Sequence, residues 1–327
     1  MIIDKRLSRL SGMSMNSLIT MNDLTNEDIH RILVNAEKLL PVAKGKIHLP
    51  LLQGKILGNL FFEPSTRTRM SFETAMKRLG GDVINLGAVA SSSVVKGETL
   101  HDTIRMVDGY SDIIALRHPR QGAAQYASDC AKVPIANAGD GAGHHPTQTM
   151  LDLFTIKQAH GKIEKLNVVL VGDLRFGRTV HSLSYALVRF GCKLTLVSPE
   201  SLRLPEEIVN ELKEQGGELS ITEDLKPQLK DADVVYMTRI QKERFPDDDE
   251  YFRVAGIYKL VANDLASVKK DMIVMHPLPR VDEIHPDVDS TRHAAYFEQA
   301  FNGVVTRMAL LCDMLNVPIP ENIGGGN

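Results

Sequence analysis

The chain has 327 residues, more than one hydrophobic core commonly holds, so two domains of roughly 150 residues each are expected. Its 43% hydrophobic and 24% charged residues are those of an ordinary folded protein, and a net charge of -3 excludes the basic footprint of a nucleic-acid-binding domain. No apolar run reaches the roughly 20 residues of a membrane-spanning helix, which argues against a membrane protein. Cys130, Cys192 and Cys312 show no C-x-x-C spacing. Neither a zinc site nor a disulfide framework is indicated, and reduced thiols in a cytoplasmic protein are expected.

Residues 1–15 carry Asp4, Lys5, Arg6 and Arg9 and lack the apolar stretch of a signal peptide, so they read as a lead-in in which Met13 or Met15 are alternative starts. Apolar runs at 55–62, 82–86, 113–116 and 133–137 read as strands separated by amphipathic segments. Between the first two, Met70, Phe72, Met76 and Leu79 fall on a helical period that Gly80-Gly81 closes. A helix over 146–160 follows, and the alternation restarts with strands at 168–171, 194–197, 219–221, 234–237 and 273–275. The segment 296–315 is helical in pattern with no strand after it, and residues 324–326 read as a frayed glycine tail. The pattern predicts an α/β protein of two doubly wound domains, each with a parallel sheet flanked by helices, joined by helices.

In open parallel sheets ligands collect at the carboxyl ends of strands, and the polar clusters lie there. Phe62 precedes Ser65-Thr66-Arg67-Thr68-Arg69; Arg117-His118-Pro119, the stretch from Gly139 to His145, Thr238-Arg239 and His276-Pro277-Leu278-Pro279-Arg280 each follow a strand. Ser65 or Thr66 caps the helix after Pro64, whose unpaired N–H groups and positive dipole end suit a dianion, and Arg67 adds a bidentate fork. A merely capped, solvated helix is the plainer reading of such a segment.

Other motifs are decoys. Gly172 to Thr179 nearly spells a Walker A loop, but Arg178 stands where lysine belongs and no later strand ends in the acidic residue that magnesium would need. Gly139, Gly141 and Gly143 do not make a dinucleotide fingerprint. Adjacent His144 and His145 diverge in direction and have no metal-ligand partner at ligand spacing, so no metal site is expected. The run Asp247-Asp248-Asp249-Glu250 reads as a solvated loop.

Taken in order, F-F-E-P-S-T-R-T-R at 61–69, Ser92-x-x-x-Lys96-Gly97-Glu98, Arg117-His118-Pro119, His145-Pro146-Thr147-Gln148, Gly172-Asp173 with Gly177 to Ser182, Thr238 to Arg244, and His276 to Arg280 resemble the catalytic chains of the transcarbamylase family, in its aspartate-specific branch. The resemblance runs from about residue 24 to 315. It implies a carbamoyl-phosphate-binding domain over 1–146 plus 296–327 and an aspartate-binding domain over 147–295. The implied reaction, a step of pyrimidine biosynthesis, is attack of the amino group of L-aspartate on carbamoyl phosphate.

Residue by residue, the resemblance places Ser65, Thr66, Arg67, Thr68, Ser92, Lys96, Arg117, His145, Gln148, Pro277 and Leu278 on carbamoyl phosphate, with Arg67, Thr68, Arg117 and His145 catalytic. Thr68, Arg117 and His145 would converge on the carbonyl oxygen as an oxyanion hole. Lys96, Arg178, Arg239, Gln241 and Leu278 would hold aspartate, arginine's planar fork suiting carboxylates. Glu63 bridging to Arg178 and Arg244 would hold the domains closed. The Leu278-Pro279 bond resembles the family's cis proline. No cofactor is needed, because the amine's proton can pass to the departing phosphate.

The resemblance further implies a homotrimer in which the loop of Ser92 and Lys96 reaches a neighbouring subunit's site; a separate regulatory chain is compatible with it. The ornithine-specific branch is the nearest rival, but this chain has neither D-x-x-x-S-M-G nor H-C-L-P, and paired arginines would repel ornithine's ammonium. A non-catalytic carbamoyl-phosphate-binding protein is the alternative from a different class.

Overall fold

Short runs rich in Val, Ile and Leu, apolar at successive positions, form inner strands covered on both faces, while the edge strands Asp82–Asn85 and Glu218–Thr222 are largely exposed. A computed structural model of the chain describes residues 17–86, 96–141, 143–242, 245 and 247–323. They fall into two units, Met1–Asp140 with Val304–Asn327, and Gly141–Gly303.

In the first unit β1 (Ile56–Phe61), β2 (Asp82–Asn85), β3 (Ile113–His118) and β4 (Ile135–Asp140) lie in the order β2-β1-β3-β4, every pair parallel. The crossovers carry α2 (Thr66–Arg78), α3 (Leu100–Asp108) and α4 (Ala123–Cys130), after α1 (Asn26–Ala43). Thr25 and Asp28 make a reciprocal capping box that starts α1. Leu60, Ile104, Val107, Ile114, Leu116 and Ile135 pack into one core between sheet and helices. Leu18 bridges Ala136 in parallel and covers the open edge of β4.

Three local expectations need correction. The acidic run 247–250, read as a loop, starts a helix over Asp248–Val254, with Asp247 as its N-cap accepting from Glu250 N at 2.8 Å. Met70 is 55% exposed, and the buried stripe of α2 is Thr68, Ser71, Phe72, Ala75 and Met76. Met70 stands two residues, about 200°, round the helix from Thr68, so it cannot share that face. β4 runs from Ile135 to Asp140, beyond the apolar run at 133–137. Pro134 has no N–H to pair and offers only its carbonyl, which accepts from Ile114 N at 2.9 Å. The extension contains a register shift: Leu116 faces Asn137 but His118 faces Asp140, with Gly139 at φ 116° taking up the extra residue.

The second unit has α5 (Pro146–His160), β5 (Asn167–Val171), α6 (Arg178–Arg189), β6 (Lys193–Val197), α7 (Glu206–Glu214), β7 (Glu218–Thr222), β8 (Val234–Met237), α8 (Asp248–Val254) and β9 (Ile273–Met275). Its parallel sheet has the order β7-β6-β5-β8-β9. Val169, Val171, Val235, Met237, Val274 and Tyr296 belong to its core. The last helix, α9 (Tyr296–Met314), crosses the division between Gly303 and Val304. Its first part serves the second unit, where Asn302 donates to Thr155 Oγ1 at 3.0 Å. Its later part serves the first, where the buried Arg307 lies 4.9 Å over the Phe72 ring.

Both sheets reverse their winding once, between β1 and β3 and between β5 and β8. The crevice at the carboxyl ends of such a strand pair is the place where doubly wound sheets bind ligands. At the second reversal Gly172 has φ +109°, and a Cβ on it would lie 2.3 Å from the Thr238 carbonyl oxygen. Gly172→Ala should therefore cost about 1–3 kcal/mol from the backbone conformation alone, read as a lower urea midpoint. An unchanged midpoint would show that the turn relaxes without cost.

Candidate functional site

β1 ends at Phe61 and the chain turns through Pro64 into α2, with Ser65 as its N-cap. Ser65 makes no side-chain cap bond, and the first turn of α2 has no acidic residue. By contrast α1, α3 and α7 carry their own carboxylates in the first turn. The start of α2 thus has no carboxylate of its own to offset its dipole, and the Ser65 side chain does not cap it. Thr66 and Arg67 are exposed, while Thr68 points inward and is 7% exposed. The buried Asn59 amide ties this turn to β1, donating to Arg69 O at 3.3 Å and to Asn85 Oδ1 at 2.9 Å.

Arg117 stands across the switch point at the end of β3. Its guanidinium pairs with Glu63 at 2.8 Å and donates to Ala138 O, in the β4 bulge, at 3.3 Å. Glu63, expected to reach toward Arg178 and Arg244, is thus engaged by Arg117 within its own unit; Arg244 lies outside the described residues. His118 packs on the Phe62 ring at 5.1 Å between centroids, and burial with the nearby Arg120 charge holds its pKa below the ordinary value. Lys96 is exposed ahead of α3, and Ser92 lies outside the described residues.

In the second unit, helices α5 and α6 also begin without an acidic first turn. His145 is the N-cap of α5, 3% exposed, and its backbone N–H donates to Ser182 Oγ at 3.3 Å. One turn on, Gln148 donates its amide to Asp152 at 2.9 Å. Arg178, the first residue of α6, donates to the Gly141 carbonyl at 2.6 Å.

After β8 the backbone is held by Thr238, whose hydroxyl donates to Val171 O at 2.9 Å and accepts from Asp173 N at 3.0 Å. Arg239 follows and lines a cavity of about 140 Å³ with Gly172, Lys242, Tyr251, Asp282 and Glu283. Gln241 donates at 3.4 Å to both Asp173 Oδ2 and Phe176 O. Burial pushes the Asp173 carboxyl above its usual value despite these donors.

After β9 the turn at 276–280 has a cis Leu278–Pro279 bond and Leu278 at φ 55°. His276 organises it: its Nδ1 accepts from Leu278 N at 2.8 Å, so the ring proton sits on Nε2 and is donated to Glu283 Oε1 at 2.6 Å. Glu283, just beyond this turn, is the partner that motif reading missed. Burial raises its carboxyl, but the hydrogen bond from His276 and those from backbone amides outweigh that, and its pKa lies below the ordinary value. Asp152, Tyr236 and Gln299, which join Gln148 to this turn, were missed as well. Only Asp152, one helical turn from Gln148, carries a sequence signal.

Residues 16–158 match the carbamoyl-P binding domain of aspartate/ornithine carbamoyltransferase, and residues 164–314 match the Asp/Orn binding domain of the same family. An aspartate carbamoyltransferase catalytic subunit from Archaeoglobus fulgidus is 56% identical over 301 residues, covering 92% of this chain and 99% of that one. The structure of the M. jannaschii aspartate transcarbamoylase catalytic subunit is similar at a TM-score of 0.86 and 52% identity, over 92% of this chain and 98% of that one. The Trypanosoma cruzi aspartate transcarbamoylase in complex with carbamoyl phosphate and aspartate is similar at a TM-score of 0.87 and 42% identity, over 91% and 96% of the two chains. Among the described residues no helix is long and apolar enough to cross a membrane.

The His276–Glu283 pair has a pH signature. A carboxyl held lower in the folded than in the unfolded chain contributes stability above its unfolded value, 4.5, that is lost as pH falls through the folded value. Glu283→Gln should cost about 1–3 kcal/mol at neutral pH, with the difference from the parent shrinking below pH 4.5. Urea unfolding across pH checks this, and a constant difference would contradict it.

Proposed function

The chain belongs to the aspartate/ornithine carbamoyltransferase family, and from that membership we infer that it transfers the carbamoyl group of carbamoyl phosphate to the amino group of L-aspartate. The products are N-carbamoyl-L-aspartate and phosphate. The amino nitrogen attacks the carbonyl carbon, the bond from that carbon to the phosphate oxygen breaks, and the amine's proton leaves with phosphate.

The observation that carries the assignment of roles is the open start of α2 beside Arg117, at the switch point of the first sheet. In this reading Ser65, Thr66, Arg67 and Thr68 hold the phosphate dianion through hydroxyls, amides and one guanidinium. Thr68, Arg117 and His145 donate to the carbonyl oxygen, which gains charge on the way to the tetrahedral intermediate. Glu63 gives Arg117 a fixed orientation, so this donor needs little reorganisation during the reaction. Gln148, Pro277 and Leu278 take the rest of the carbamoyl group.

Arg178, Arg239 and Gln241 receive aspartate, with Leu278 and Lys96 completing its contacts. Arg178 then exchanges the Gly141 carbonyl for a carboxylate, a stronger, charge-assisted partner. Ser92 and Lys96 act in a neighbouring subunit's site, which makes a homotrimer the working unit. Glu63 and Arg244 contribute to closure over substrate, and a separate regulatory chain is compatible with this assembly. The three free cysteines support a reducing, cytoplasmic setting.

Two measurements test the reading. The purified chain should form carbamoylaspartate and turn over ornithine and acetylornithine negligibly. Arg239→Ala should raise the aspartate requirement about 10–100-fold, the worth of lost charged hydrogen bonds. Equal use of ornithine would overturn the specificity. For the shared site, mixing inactive Lys96→Ala and Arg67→Ala subunits should restore activity in hybrids, and none despite confirmed subunit exchange would exclude it.

A further inference from the structure

A fully buried carboxylate in the second unit has no role in the reaction as described. Asp152, on α5, is 0% exposed, and its Oδ1 accepts from Gln148 Nε2 at 2.9 Å and Gln299 Nε2 at 2.7 Å. Its Oδ2 accepts from the Tyr236 hydroxyl at 3.0 Å. Burial, with the carboxylate beside it, raises Tyr236 well above the ordinary tyrosine value, so this hydroxyl stays a donor. Gln299 passes the arrangement on: its Oε1 accepts from His276 N at 2.8 Å, and His276 Nδ1 in turn accepts from Leu278 N at 2.8 Å. One carboxylate therefore links α5, β8, α9 and the turn after β9.

The chemistry of an amide gives this link a consequence for the substrate. A carboxylate only accepts, so it binds Gln148 by its nitrogen, and what Gln148 retains for a ligand is its oxygen, a pure acceptor. The carbamoyl phosphate dianion has one kind of hydrogen-bond donor, its amino group. We propose that Asp152 is a positioning residue that orients the Gln148 amide so that its oxygen receives the amino group of carbamoyl phosphate, and that this contact distinguishes a carbamoyl group from an acyl group of the same size. The proposal rests on the reading of Gln148 as a carbamoyl-phosphate contact. The same carboxylate orients Gln299 and through it the backbone at Leu278, so the two sides of the carbamoyl subsite share one anchor.

A site built to satisfy a polar group rejects the analogue lacking it, because its own acceptor is then buried unpaired. Acetyl phosphate, with methyl in place of the amino group, is the probe. Affinities for carbamoyl phosphate, acetyl phosphate and inorganic phosphate are measured on the full chain without an amino acid substrate. Asp152→Asn presents an NH₂ group that competes with the three donors. It should lower the preference for carbamoyl over acetyl phosphate about 10-fold, as should Gln148→Ala, with phosphate affinity nearly unchanged.

A preserved preference in folded Asp152→Asn, or equal weakening toward all three ligands, overturns the proposal. A preserved preference in Gln148→Ala instead removes the Gln148 contact on which it rests. Should Asp152→Asn fail to fold, the parent protein decides. The Gln148 side-chain NH₂ resonances, assigned by their loss in Gln148→Ala, should stay exchange-protected and downfield with phosphate or carbamoyl phosphate bound. Loss of that protection on adding carbamoyl phosphate would show that the amide turns its nitrogen away from Asp152, and would overturn the proposal.

Discussion

Parallel pairing constrains everything else in this protein. Because each strand runs the same way, each right-handed crossover returns the chain to the starting edge, and all strand-to-helix turns gather at the carboxyl ends. Each sheet winds outward from a central strand, β1 or β5, and then starts again on that strand's other side at β3 or β8. The turns on either side of each reversal diverge and leave a crevice. Ser65 to Thr68 and Arg117 flank the first reversal; Gly172-Asp173 and Thr238 to Gln241 flank the second. Close packing at the second leaves no room for a Cβ on Gly172.

Helix starts supply the electrostatics at these edges. A first turn containing Asp or Glu neutralises its own dipole, as in α1, α3 and α7, whereas α2, α5 and α6 lack that internal anion. Their N-terminal residues include Thr66, Arg67, His145 and Arg178. Cations added to positive dipole ends cost stability unless something balances them. In the described structure Arg178, at the start of α6, donates to the Gly141 carbonyl, while Arg117, at the end of β3, pairs with Glu63. Donors held this way have their orientation already set.

Much of this was readable in the chain. The strands appeared as apolar runs at 55–62, 113–116, 168–171 and 234–237, and the loop motifs stood directly after them, because a strand-end turn is a contiguous stretch of residues. Legibility stopped where a contact joins distant residues or where local pattern misleads. Met70 fits an apolar count but not the face that α2 buries. The bulge that lengthens β4 depends on pairing with β3, and periodicity carries no pairing information. Glu63 has several arginines within plausible reach of its sequence neighbourhood, and only the folded first unit joins it to Arg117.

The sequence by itself determined the element types, the doubly wound class, the family and the chemical character of each strand-end loop, since these follow from side-chain type and spacing over a few residues. Tertiary structure alone decided which buried groups hold those loops in position. Gln299 and Asp152 are 147 positions apart and become partners at 2.7 Å only when α9 packs beside α5. Likewise His276 becomes a fixed acceptor for Leu278 only because Glu283, buried with it, accepts the hydrogen bond from its Nε2–H. The physical reason is that a polar side chain commits to a partner when burial removes water as the alternative, and burial is a property of the whole fold.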